Sequence, residues 1–112
     1  VQISISIRHG RVSEPTQAMI REKLEKLPRL YDRITSVLVT LDLEHRDKPV
    51  VDLKVLAKRH EFVSVGQGEN LIAAADAAVE RIEQQLRKHK KKVQDRHRVA
   101  GHKAEINPGE NE

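Results

Sequence analysis

Between Asn70 and about Val93 the chain carries a stretch that changes character halfway. NLIAAADAAVERIEQQL is small and apolar at helical spacing, and the RKHKKKVQDRHR that follows is almost wholly basic. At 100° per residue, Leu71, Ala75, Ala78, Ile82 and Leu86 fall within about 40° of one line. Such a stripe has to be buried, so the first half of the predicted helix belongs to a core. Arg81, Lys88 and Lys92 share one flank, Lys90 lies on the other, and Arg87 and Lys91 point further back. A helix of about 24 residues is about 36 Å long, more than a small domain needs for packing. Its second half reads as a cationic arm leaving the domain, and a polyanion is the partner that suits it.

The preceding residues supply a sheet for the stripe. Val1, Ile3, Ile5 and Ile7 alternate with polar residues, the pattern of a half-buried strand. After the turn Arg8–Arg11, Ser13 is a predicted N-cap, with Glu14 in the first turn and Pro15 tolerated there. The helix it starts has Ile20, Leu24 and Leu27 on its apolar face, and Pro28 should stop it, leaving 28–33 as a connection. Alternation resumes over 34–44, with Val37, Val39, Leu41 and Leu43 inward, and over 51–57, with Val51, Leu53 and Val55 inward. In the fourth strand, 62–68, Phe62, Ser64, Gly66 and Gly68 share one face. Small residues there allow the Ala74–Ala78 segment to approach closely. The predicted fold is α+β, in the order β-α-β-β-β-α: a four-stranded sheet with two helices packed on one face. Residues 1–95 form the predicted domain, and 96–112 a flexible tail, basic and then acidic.

Charge and composition narrow the function classes. Charged residues make up 34% of the 112, yet the formal net charge is only +4, so the distribution carries the information. From Arg87 to Arg98 seven Lys or Arg stand against the single Asp95, whereas Glu105 to Glu112 holds three acids and no base. Tyr31 and Phe62 are the only Phe, Tyr or Trp residues, which argues against base stacking on those side chains as a main mode of binding. Without cysteine there is no disulfide, thiolate metal site or thiol nucleophile. No apolar run approaches the ~20 residues needed to span a bilayer, so no membrane partner is expected.

At several places the residues resemble the ribosome hibernation promoting factor and ribosome-associated inhibitor family. They are the first strand ending in Arg8-His9, EKLEKL (22–27), LYDRI (30–34) and GENLIAAADAAVERIEQQLRKHKKK (68–92), spread in one register over about residues 1–95. The resemblance implies a translation-inhibiting factor acting in the cytoplasm during stress or stationary phase. It would bind ribosomal RNA of the small ribosomal subunit in the decoding groove, excluding mRNA and tRNA. Carried over by position, the RNA-binding residues are Lys23 and Lys26 on the first helix and Arg81, Arg87, Lys88, His89, Lys90, Lys91 and Lys92 on the second. Gln17 and Gln84 stand where the family often has Arg, and Leu71-Ile72 replaces a frequent Met-Tyr pair. The implied protein is a short form lacking the second, dimer-forming domain of long members, monomeric when free, with no cofactor, metal or small-molecule substrate.

Three histidines, His9, His45 and His60, lie near Asp47 or Glu61 in sequence and raise the question of catalysis. A metal or acid–base site needs such groups to converge, and these fall at turns and strand ends, so no enzyme activity is expected. Two other classes fit part of the pattern. A double-stranded-RNA-binding module also sets two helices on an antiparallel sheet, although the extra N-terminal strand argues against it. A protein–protein assembly module would use the free sheet face around Leu38, Val63 and Val65.

Overall fold

The computed structural model describes the backbone of residues 1–102 and the side chains of residues 1–92. The elements are β1 (Gln2–Arg8), α1 (Glu14–Leu24), α2 (Lys26–Leu30), β2 (Ile34–Asp42), β3 (Val50–Ala57), β4 (His60–Gln67) and α3 (Leu71–His102). The four strands form one sheet in the order β1-β2-β3-β4. β1 runs parallel to β2, and the other two pairs are antiparallel. A parallel neighbour needs a crossover, and α1 and α2 provide it.

The alternation translates directly into burial. Val37, Val39, Leu41, Val51, Leu53 and Val55 are buried, and so are Ile20, Leu24 and Leu27 from the helical crossover. Ile3, Ile5 and Ile7 are only half-buried against this core, because β1 is an edge strand. On the opposite sheet face Leu38, Val63 and Val65 are exposed.

α3 seats itself on β4 by backbone proximity. A Cβ on Gly66 would lie 2.1 Å from the Ala74 carbonyl oxygen and 2.5 Å from the Ala78 nitrogen. No side chain other than hydrogen fits there without lifting the helix. One turn along, the buried Ser64 hydroxyl donates to the Ala78 carbonyl at 2.8 Å, so this polar seam leaves no unmet bond. Ala74, Ala75, Ala78, Val79, Ile82 and Leu86 are buried along the helix.

The starts of α1 and α3 are capped by side chains. Ser13 accepts from the Thr16 amide at 3.4 Å, and Asn70 Oδ1 accepts from the Ala73 amide at 2.8 Å. Two helix ends differ from expectation. α1 stops at Leu24, and Pro28 lies inside the next helical turn, α2, which continues to Leu30. Proline lacks the N–H that an interior position would need, but Pro28 is the third residue of α2, where that donor has no intrahelical acceptor. The break therefore falls at Glu25, ahead of the proline. α3 runs to His102, beyond the end near Val93 that fading apolar periodicity implied. Periodicity reports burial; Lys, Arg, Gln and Ala sustain a solvated helix without it. The expected tail, 96–112, thus begins within α3, and residues 103–112 lie outside the described residues.

Candidate nucleic-acid interface

Leu86 is the last fully buried position of α3 among the described residues. Beyond it Arg87, Lys88, Lys90, Lys91 and Lys92 are exposed, and none of them forms an ion pair among the described residues. Arg87, Lys88 and Lys91 line one open groove together with Arg81, Gln84 and Gln85. Among the described residues the lining holds four cations and no carboxylate. Helical spacing produces this arrangement, since residues 84, 88 and 91 succeed one another at steps of four and three.

Arg81 has a second engagement. Its Nη1 donates to the Val65 carbonyl at 2.7 Å, and Gln85 Nε2 donates to the Val63 carbonyl at 3.0 Å. β4 is an edge strand, so these carbonyls have no strand to accept from. Arg81 and Gln85, one helical turn apart, close that edge and fix the rotation of α3 upon it. Gln85 was not among the residues expected from sequence; its position four residues after Arg81 is the only local signal.

On the other flank of α3 the cations are compensated. Lys23 Nζ pairs with Asp76 Oδ1 at 2.7 Å and is only a quarter exposed. Lys26 is exposed at the start of α2. Both lysines line a groove with Asp76, Glu80 and Glu83 from α3. Of the residues expected to bind RNA, Arg81, Arg87, Lys88 and Lys91 line the groove without described carboxylates, Lys23 and Lys26 line the mixed one, and His89, Lys90 and Lys92 line neither.

His89 points the other way, towards the core. Its ring packs edge-on to Tyr31 (centroids 5.5 Å apart) and Phe62 (5.3 Å) and stacks on His60 (4.5 Å, 27° between planes). Counting only Phe, Tyr and Trp concealed this cluster, since half its rings are imidazoles. It clamps the base of the basic arm to the start of β4 and to the residue after α2.

His9, His45 and His60 were expected at turns and strand ends without a converging partner set, and His9 there meets a carboxylate that its sequence neighbours do not supply. The parallel register sets Arg8 opposite Asp42, which brings the next residue, His9, to the same carboxylate. His9 Nδ1 lies 2.9 Å from Asp42 Oδ1, which also accepts from the Glu44 amide at 3.0 Å. These bonds, His9 first, hold the Asp42 carboxyl below its ordinary pKa. His9, Asp42 and Glu44 have potential ligand atoms within 4.8 Å of one another. The two hydrogen bonds account for the grouping as a lock between the ends of β1 and β2. No helix among the described residues is long and apolar enough to cross a membrane.

Comparison with known proteins agrees with this geometry. Residues 3–94 match the family described as Sigma 54 modulation protein / S30EA ribosomal protein. The ribosome hibernation promoting factor of Pseudomonas putida is 32% identical over 94 residues, covering 84% of this chain and 91% of that protein. That of Azotobacter vinelandii is 31% identical over 96 residues, covering 86% and 89%. In fold, a ribosomal subunit interface protein from Coxiella burnetii superposes with a TM-score of 0.73 at 18% identity, over 80% of this chain and 98% of that one. With its β-α-β-β-β-α order and a match over nearly the whole described domain, this chain belongs to the Sigma 54 modulation protein / S30EA ribosomal protein family, whose members are ribosome-associated factors and not enzymes.

Proposed function

We propose that this protein is a cytoplasmic ribosome hibernation factor, monomeric when free, that binds small-subunit ribosomal RNA in the decoding groove and excludes mRNA and tRNA. The observation that carries this reading is the groove of Arg81, Arg87, Lys88 and Lys91, with no carboxylate among its described residues, on a helix whose last buried side chain among the described residues is Leu86. Each lysine or arginine that neutralises a phosphate releases condensed counterions, which makes binding strong, salt-sensitive and tolerant of sequence. A rigid helix spaces the charges along folded RNA, so recognition is by shape. The relatives named as hibernation promoting factors support the same assignment.

The test is co-sedimentation with purified small ribosomal subunits over a salt series, beside a variant with Lys88, Lys90 and Lys91 changed to alanine. Saturable one-to-one binding that weakens with salt and is lost in the variant is expected, together with competition by mRNA and initiator tRNA. Binding that is unsaturable, or indifferent to the three lysines, would refute the reading.

A further inference from the structure

The end of the sheet that carries the ring cluster is also basic. The Lys58 amide donates to the Arg33 carbonyl at 3.2 Å, which ties the β3–β4 hairpin to the connection between α2 and β2. Arg33, Lys58 and Arg59 are exposed, and none forms an ion pair among the described residues; the acids near them in sequence are Asp32 and Glu61, and Glu61 faces Lys54 at 3.8 Å. Arg59 has a φ of 67°, in the left-handed region that glycine or asparagine occupies at lower energy. An arginine kept in that conformation is an outlier of the kind that clusters at functional sites. Next to it the exposed His60 has its ring against His89 and 4.4 Å from that of Phe62. Phe62 and Tyr31, both buried, hold this stack from beneath.

We propose that the β3–β4 hairpin is a second RNA contact, separate from the basic arm. It takes one unpaired nucleotide, whose base extends the His60–His89 stack while Lys58 and Arg59 hold the flanking phosphates. Imidazole rings serve as stacking surfaces for splayed RNA bases, and guanidinium and ammonium groups within reach of the same nucleotide add the electrostatic term. The proposal rests on the RNA-binding reading above and gives it a local preference for single-stranded RNA, which a cationic helix by itself lacks.

Fluorescence anisotropy with labelled oligoadenylate and with duplex RNA of equal length tests it, using the full chain. His60→Ala should weaken oligoadenylate binding about tenfold and leave duplex binding unchanged, and His60→Tyr should restore the affinity. Arg59→Asn should lower affinity for both RNAs and reduce the salt slope by about one. Its melting temperature should not fall, because asparagine relieves the left-handed strain. Wild-type oligoadenylate affinity in His60→Ala and Arg59→Asn would overturn the hairpin site while leaving the arm intact. Equal losses on both RNAs for His60→Ala, with a lowered melting temperature, would also overturn it, as a loss of fold. A wild-type protein that binds neither RNA in a salt-dependent way would overturn the RNA-binding reading together with this one.

Discussion

The two flanks of α3 carry comparable numbers of charged residues and differ in what those charges face. Towards α1 and α2, Asp76, Glu80 and Glu83 share a groove with Lys23 and Lys26, and Lys23 is already paired. Along the β4 edge and beyond, Arg81, Arg87, Lys88 and Lys91 share a groove whose other described residues are Gln84 and Gln85. Among the described residues net charge separates the two grooves, and so does the partner each cation has in the folded chain. A lysine held by a carboxylate must lose that contact before it meets a phosphate, whereas a cation among cations gains from the first phosphate it meets. The β4-side groove should therefore dominate any RNA affinity.

The largest effect is expected from unseating the helix both flanks share. Gly66→Val drives a side chain into the Ala74 carbonyl and the Ala78 backbone, and should cost more than about 3 kcal/mol. Chemical denaturation reads it, and retention of wild-type stability would mean the seam is looser than the distances imply.

Neutralising the cationic groove is next. Lys88→Ala with Lys91→Ala should lower small-subunit affinity at least tenfold and reduce the salt slope by about two. Asp76→Asn with Glu80→Gln and Glu83→Gln works in the opposite sense. It leaves Lys23 and Lys26 uncompensated and should raise affinity several-fold. Sedimentation at matched salt compares the two sets, and equal losses from both would erase the distinction between flanks.

A smaller effect is expected at the edge that orients α3. Arg81→Ala with Gln85→Ala uncovers the Val63 and Val65 carbonyls and should cost about 1–2 kcal/mol. Concentration-dependent self-association, seen by analytical ultracentrifugation, should follow as the edge becomes available to a second strand.

Asp42 offers the smallest and most local change. Its carboxyl is held below the ordinary value of 3.8, chiefly by His9 and the Glu44 amide. A depressed folded-state pKa contributes stability that is present above the unfolded value and disappears as pH falls through the folded one. Asp42→Asn should therefore flatten the acid limb of a plot of melting temperature against pH, below about pH 4, and leave RNA binding untouched.

Much of this architecture is legible one residue at a time. Period-two alternation at Val37, Val39, Leu41 and again at Val51, Leu53, Val55 marked the core face of the sheet, and all six are buried. Ser13 signalled the start of α1, and Gly66 opposite Ala74–Ala78 signalled a close helix–strand approach. Local rules succeed here because burial, capping and steric size act over a few residues of chain. The same rules misjudged both helix ends. Pro28 obstructs a helix interior and is harmless in a first turn, and α3 continues to His102 past the point where its sequence keeps an apolar period.

The chain by itself determined the elements, the buried stripe and the concentration of positive charge near the end of α3, because each follows from spacing along one segment. Which cations are available depends on contacts between distant segments. Lys23 meets Asp76 across 53 positions of sequence, and Arg81 reaches a carbonyl of β4. His89, set within a basic run, turns inward to Tyr31, His60 and Phe62. Those partnerships depend on how α3 docks and rotates on the sheet, and helical spacing within α3 carries no information about what stands opposite each of its faces.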